Sequence, residues 1–461
     1  MKPLAEQPVN IVGAGLAGAL LAILLAKRGF AVRLFERRPD PLRLQAERGR
    51  SINLALAARG IRALERAGVM DRVRPLLIPM RGRMVHDRNG TTALHPYGQR
   101  DDEVIFSVGR AALNRLLIEE AVHHAHVTVR FDQACLGADP SRNVLRIRDG
   151  VANAEYEVGL TPTIATDGAG SAVRSSLAFG GHVSAHEEML DHDYKELTIP
   201  ASAVGATLES DALHIWPRGG FMLIALPNTD GSFTATLFLA RKGESSFASL
   251  AASGGVREFF LREFPDALPL IPDLQVEFLE HPQGQLGTVR TAPFHTDGQV
   301  LLLGDAAHAI VPFHGQGMNA AFEDCSVLDS LLEAHDEWAP AFADFSRDRM
   351  PNTAAIARMA LENYTEMRHT VLDAKFVRQK QLALELELRF PRHFIPQYSM
   401  VMFHPEIPYA EALRRGTVQA RILDELDAVA HATGQLDLAT AERLINGRLA
   451  PLHESSPCAR A

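Results

Sequence analysis

The sequence predicts an α/β protein: a helix-covered parallel sheet begun by a glycine-rich strand–helix–strand unit, an antiparallel β-sheet inserted into it, and a helical C-terminal region. Three stretches carry that prediction. Residues 9–35 hold the glycine-rich turn, residues 194–240 alternate and turn as antiparallel strands do, and the chain after Ser346 is largely helical in pattern. At 461 residues the chain exceeds what one hydrophobic core organises, so two or three domains are expected.

Residues 9–12 read as a buried strand, 14–28 as a helix closed by Gly29, and 31–35 as a second strand. Gly13, Gly15 and Gly18 have the G-x-G-x-x-G spacing of a Rossmann-like unit. Gly13 makes the tight turn, Gly15 lets the backbone approach a pyrophosphate, and Gly18 permits close helix–strand packing. The helix N-terminus offers free N–H groups and a partial positive charge to phosphate. Glu36 ends the second strand, where a carboxylate accepts hydrogen bonds from an adenosine ribose. Leu16, Arg37 and Ala55 join these as cofactor-binding candidates. The apolar run 11–26 is shorter than the roughly 20 residues a membrane span needs, and no later run is longer, so no membrane partner is expected.

Further along, 51–68 reads as a helix, 80–87 as a strand, 113–123 as a helix, and 127–131, 144–147 and 163–165 as strands. Asp167 then begins DGAGSAVR, a partial glycine pattern that is either a weaker second dinucleotide loop or a capped helix start. A complete second G-x-G-x-x-G is absent, so a nicotinamide reductant docks only transiently. HIWP, FMLIALPN and FTATLFLA, joined by glycine turns, form the inserted sheet.

Residues 300–319, VLLLGDAAHAIVPFHGQGMN, form a second constellation. A buried strand ends at Gly304-Asp305, where a carboxylate accepts from a neutral polyol such as a ribityl chain. Gly315, Gly317, Met318 and Asn319 open a helix whose apolar stripe runs through Phe322, Cys325, Leu328 and Leu331/Leu332. Its N-terminal dipole suits the pyrimidine edge of a flavin, where negative charge gathers on reduction. With the first glycine turn, these residues build the two ends of one FAD site.

Composition excludes other classes. A formal charge of −9 argues against nucleic acid, and three widely spaced cysteines, Cys135, Cys325 and Cys458, favour a reducing cytoplasm. His123, His124 and His126 lack a carboxylate at ligand spacing, so no metal is expected. His308 reads as a structural part of its turn, and no G-x-S-x-G elbow is present.

IVGAGLAG, DGAGSAVR and GDAAHAIVPFHGQGMN resemble the three fingerprints of single-component FAD-dependent aromatic hydroxylases. RGRSINLALAARG, MRGRMVH, HPYG, YKEL, LHIWP, VPFHGQGMN, ALENYTEM and FIPQYSMV, spread from Arg48 to Val401, are similar to the kynurenine 3-monooxygenase family. The resemblance implies hydroxylation of L-kynurenine beside its ring amino group, with FAD bound, NADPH as transient reductant, O2 as oxygen donor and no protein acid or base. It implies that Arg110 reaches the flavin and that Arg83 and Tyr97 hold the substrate carboxylate. Phe313 and His314 would flank the aromatic ring, and Asn363, Glu366 and Tyr398 would make the remaining polar contacts. It also implies a discontinuous FAD-binding domain (1–78, 98–178 and 288–345), a substrate-binding sheet (79–97 and 179–287) and a helical region, 346–461, closing the site.

The residue types agree in part. Arg81 and Arg83 share one face of their strand; both read as solvated, but a guanidinium at 83 also suits two-point carboxylate recognition. On the helix through 352–369, Asn363 and Glu366 interrupt an apolar stripe, which fits either a zwitterionic ligand or helix-to-helix hydrogen bonds. Two other functions stay open on these residues: a phenol hydroxylase of the same fold, and a flavin-bound regulatory protein without turnover.

Overall fold

In the computed structural model, residues 8–43, 53–204, 208–370, 373–433 and 437–452 are described; Cys458 lies outside them. Val9–Val12 pairs in parallel with Val32–Phe35 on one side and Thr163–Ala165 on the other. Val300–Leu302 and Val127–Arg130 extend the sheet in parallel, and His295–Thr296 closes one edge antiparallel. The register sets Val12 beside Ala165 and Ala165 beside Leu302. Three strand-to-helix turns, at Gly13, Asp167 and Gly304, therefore open at the same end of the sheet, where open α/β sheets bind ligands.

Helix Leu16–Lys27 is buried at every residue from Gly18 to Ala26. It is apolar all round because the sheet and the helices Arg110–His123 and Gly317–Ala334 cover it. No described helix is long and apolar enough to cross a membrane.

A second sheet has the order Gln283–Ala292, Ser184–Ile199, Phe233–Ala240, Met222–Pro227, Ala212–Pro217, Gly82–His86, Thr92–Pro96. Its pairs are antiparallel except Ala212–Pro217 with Gly82–His86, which run parallel. Gly82–His86 comes from far upstream, so no hairpin dictates its direction. The expected strand 80–87 is also divided. Leu77–Met80 pairs with Ile105–Gly109, and the chain changes sheets at Arg81. The expected helix 51–68 begins only at Ala58, because Asn53–Leu56 is drawn into strand pairing with Ile105–Gly109. There tertiary pairing outweighs local propensity.

The C-terminal region is helical: Trp338–Thr365, a π-helical turn Glu366–Thr370, then Ala374–Arg389, Gln397–Phe403, Tyr409–Thr433 and Leu438–Arg448. Trp338–Thr365 packs against both Gly317–Ala334 and Tyr409–Thr433. Between the parallel sheet and this helix lies a buried ionic centre. Asp324, fully buried, accepts from Gly304 N at 3.0 Å, His308 Nε2 at 2.6 Å and Arg349 Nε at 2.6 Å. Burial works against its charge, but His308 and Arg349 outweigh that and hold its carboxyl below the usual range. Gly304 itself has φ +61° and ψ −140°, a backbone conformation that suits glycine.

Asp324→Ala should therefore do more than remove one contact. Breaking a buried pair and leaving the other partner charged costs about 3–5 kcal/mol, against about 1 kcal/mol or less for Glu333→Ala in an exposed pair. The expected outcome is a much lower melting temperature and loss of flavin on gel filtration for Asp324→Ala, with Glu333→Ala near wild type. Equal behaviour of the two variants would show that the buried centre does not hold the turn.

Candidate active site

Gly13 adopts φ +95°, the turn its motif requires. A Cβ on Gly18 would overlap the Gly13 carbonyl, whereas at Gly15 a Cβ would meet nothing within 4 Å. The first glycine closes the turn, the third permits packing, and the middle one faces open space where a phosphate can approach. Glu36 is buried; its Oε2 accepts from Ala14 N at 2.8 Å and its Oε1 from Arg38 N at 2.9 Å and Nε at 2.8 Å. Burial would raise its pKa, but the donations from Arg38 and the backbone keep it lowered. The expected neighbour Arg37 is exposed, and Arg38 is the residue that engages Glu36.

Asp305 opens the short helix Asp305–His308, exposed and facing a cavity of ≈ 630 Å³. Leu16, Ala55, Arg110, Gly315, Gly317 and Met318 also line it. Asn319 does not. It is fully buried and works as a staple: Nδ2 donates to Ala55 O and Gly315 O, both at 2.8 Å, and Oδ1 accepts from Ala57 N at 2.9 Å. Of the DGAGSAVR turn, Gly168 and Gly170 reach the cavity, while Asp167 is half-buried and its pKa is raised by desolvation. Ser171 caps the helix Ala172–Phe179 by accepting from Arg174 N, so the capped-start reading of that turn holds. Open space at Gly15, acceptors at Glu36 and Asp305, and the N-terminus of an 18-residue helix at Gly317 fit the diphosphate, sugar and ring ends of FAD.

The same cavity continues to Arg83, Tyr97, Phe313, His314 and Tyr398. Arg83 is buried, with its guanidinium 5.7 Å from the Tyr97 ring centroid and 5.1 Å from that of Tyr398. The two phenols stack on each other at 5.6 Å. Arg83 Nη1 lies 3.2 Å from Glu366 Oε1. Burial opposes its charge, but the phenol oxygens and Glu366 outweigh that and raise its pKa. Arg81, exposed and paired with Asp211, keeps the solvated role read for it.

His314 stacks on Tyr398 at 5.3 Å, and burial lowers its pKa to about 4, so the ring is neutral. Its Nδ1 is buried without a hydrogen-bond partner among the described residues. Phe313 stacks on Tyr364 at 3.8 Å. Asn363 donates to Phe313 O at 2.6 Å and, like Glu366, is not part of the cavity wall. It therefore positions the Phe313-His314 loop. Tyr194 and Glu196, absent from the sequence-derived set, do line the cavity, as do Met222, Ile224, Met367 and Met402. Their signal was present in YKEL, where period-two spacing puts Tyr194 and Glu196 on one face of a strand.

A family model described as the FAD binding domain matches residues 6–343. The chain is 46% identical over 453 residues to a kynurenine 3-monooxygenase of Xanthomonas axonopodis pv. citri (strain 306), covering 98% of this chain and 99% of the relative. It is 47% identical over 445 residues to a protein of the same name from Xanthomonas campestris pv. campestris (strain 8004), covering 96% and 97%. Among solved structures, a p-nitrophenol 4-monooxygenase from Pseudomonas putida DLL-E4 superposes with a TM-score of 0.65 at 18% identity, covering 83% of this chain and 93% of that one, a likeness of fold. On this evidence the chain belongs to the FAD-binding-domain family and, within it, to the kynurenine 3-monooxygenases.

Proposed function

We propose that the chain hydroxylates L-kynurenine at the ring carbon beside its amino group, with NADPH as reductant, O2 as oxygen donor and FAD as bound cofactor. One observation carries this reading. A single cavity runs from Gly15, Asp305 and Gly317 to a buried guanidinium set beside two stacked tyrosines. An aromatic amino acid needs such a place for its carboxylate at one end and a flavin at the other.

FAD bound there supplies hydride acceptance from NADPH and activation of O2. The protein's part is to position the substrate and exclude water. Arg83 takes the carboxylate in a two-point contact, and Glu366, on the turn after the long helix and behind the cavity wall, pairs with Arg83 and orients it. Phe313 and His314 bound the ring end, held by the Asn363 amide. Leu213, Met222, Ile224, Leu226 and Phe238 form an apolar wall that keeps water from the reacting ring. An aniline ring is electron-rich by itself, and the neutral His314 need not act as a base. Asp305 and Glu36 accept from the hydroxyls of the bound cofactor, Arg110 approaches its ring, and Asn319 and Asp167 hold the surrounding turns.

We further assign residues 1–78, 98–178 and 288–345 to the flavin domain, 79–97 and 179–287 to the substrate sheet, and 346–461 to the helical cover. The change of sheet at Arg81 supports that division. We place the protein in the cytoplasm, a reading supported by the unpaired Cys135 and Cys325. The direct test is incubation of the flavin-loaded protein with NADPH, O2 and L-kynurenine. A product one oxygen heavier, hydroxylated beside the amine, is expected; NADPH oxidation that ignores kynurenine and yields no such product would overturn the reading.

Two predictions follow from the cavity. Charge-assisted hydrogen bonds are worth about 1.5–3 kcal/mol, and about 1.4 kcal/mol is a factor of ten, so Arg83→Ala should weaken kynurenine binding roughly ten- to a hundredfold. Arg83→Lys should recover only part of this, since an ammonium lacks the planar two-point contact. Kynurenine without its carboxylate should bind Arg83→Ala and wild type alike; an equal loss with that ligand would remove Arg83 from carboxylate recognition. At the cofactor end, Asp305→Ala and Glu36→Ala should purify with less FAD and bind it more weakly, while Asp139→Ala, in the small three-stranded sheet, should not. Fluorescence titration of released flavin measures this, and full retention in both variants would contradict the placement of the dinucleotide.

A further inference from the structure

Three residues far apart in sequence meet beneath the substrate end of the cavity. Glu103 lies six residues after Tyr97, and His404 six residues after Tyr398, at the end of helix Gln397–Phe403. Glu387 sits on helix Ala374–Arg389. One ligating atom from each lies within 4.8 Å of the other two. Glu103 is 5% and Glu387 2% exposed.

The hydrogen bonding around them leaves one atom each of Glu387 and His404 without a partner among the described residues. Glu387 Oε2 accepts from Gln99 Nε2 at 2.9 Å, but Oε1 is buried without a hydrogen-bond partner among the described residues. His404 Nδ1 lies 2.9 Å from Glu406 Oε1, which makes Nδ1 the donor and leaves Nε2 with its lone pair; Nε2 is also buried without a partner. Glu103 Oε2 accepts from Gln99 N at 2.6 Å and Arg100 N at 3.1 Å. Arg100 pairs with Glu103 Oε1 but approaches Glu387 Oε1 only at 3.8 Å, outside hydrogen-bond range. Glu103 and Glu387 against Arg100 leave one negative charge, and Glu406 behind His404 adds another.

A buried carboxylate oxygen and a buried imidazole lone pair facing each other are mutually unfavourable unless a proton or a metal cation lies between them. Zinc–ligand bonds of about 2.0–2.2 Å place two ligands of one ion farther apart than a hydrogen bond, a separation that lies within the 4.8 Å bounding the three atoms. A ring nitrogen held by a carboxylate behind it is also how metal-bound histidines are oriented. We propose that Glu103, Glu387 and His404 bind a divalent transition-metal ion of the zinc class, with water completing its coordination. The ion clamps the segment bearing Tyr97 to the two helices that cover the substrate end. Sequence alone gives no hint of it, since no two of the three ligands share a local motif.

The test uses the flavin-loaded protein, stripped with a chelator and then titrated with Zn²⁺ by calorimetry and thermal melting, with Co²⁺ for its visible spectrum. Glu387→Gln and His404→Ala are carried alongside, and retained flavin absorbance shows that each is folded. One equivalent of Zn²⁺ per chain, a melting temperature raised by several degrees, and loss of both in either folded variant are expected. Should His404→Ala fail to hold flavin, the near-isosteric Glu387→Gln decides. Wild-type protein that melts at the same temperature with and without Zn²⁺, or that binds it no better than the variants, overturns the proposal.

Discussion

A carboxylate buried among apolar helices has to be satisfied completely, and Asp324 is satisfied by three donors from two other parts of the chain. Two come from the turn that presents Asp305, namely Gly304 N and His308 Nε2; the third is Arg349. Arg349 lies on helix Trp338–Thr365, whose far end leads into Glu366 beside Arg83. One ionic centre thereby sets the distance between the turn that presents Asp305 and the helix that leads to Glu366, the partner of Arg83. Because the interior is close-packed, a shift at either place is felt at the other.

The loop between these ends is held by two amides. Asn319 ties Gly315 to Ala55 and Ala57, and Asn363 takes the carbonyl of Phe313. Both are buried; Asn319 spends its hydrogen bonds on backbone groups, and Asn363 donates to the Phe313 carbonyl and to Met367 Sδ, so together they fix the Phe313-His314 loop. An isolated loop of this composition would sample many conformations; here its carbonyls are committed before any ligand arrives.

Charge is distributed to match. Around Arg83 the wall is aromatic and apolar, and Glu366 is its one carboxylate partner among the described residues, so the cation keeps N–H donors for an incoming anion. His314, stacked in the same wall, is kept neutral by burial, its pKa lowered to about 4, and adds no competing positive charge at neutral pH. The cavity thus offers one strong anion site at its far end and uncharged surfaces near the ring.

The sequence by itself determined the cofactor end. Glycine turns, capping residues and the carboxylates Glu36 and Asp305 act locally, within a few residues of a strand end, so their spacing survives in the linear pattern. It also marked Arg83, Tyr97, His314 and Tyr398, though as a resemblance and not as a derivation. Only the tertiary structure decided that Asn53–Leu56 is a strand, that Asn319 and Asn363 position backbone instead of lining the cavity, and that Asp324 anchors the Gly304 turn. The same holds for the meeting of Glu103, Glu387 and His404. Each of these depends on partners brought together from distant parts of the chain. Pairing energy and desolvation are properties of the assembled interior, and no local period or motif encodes them.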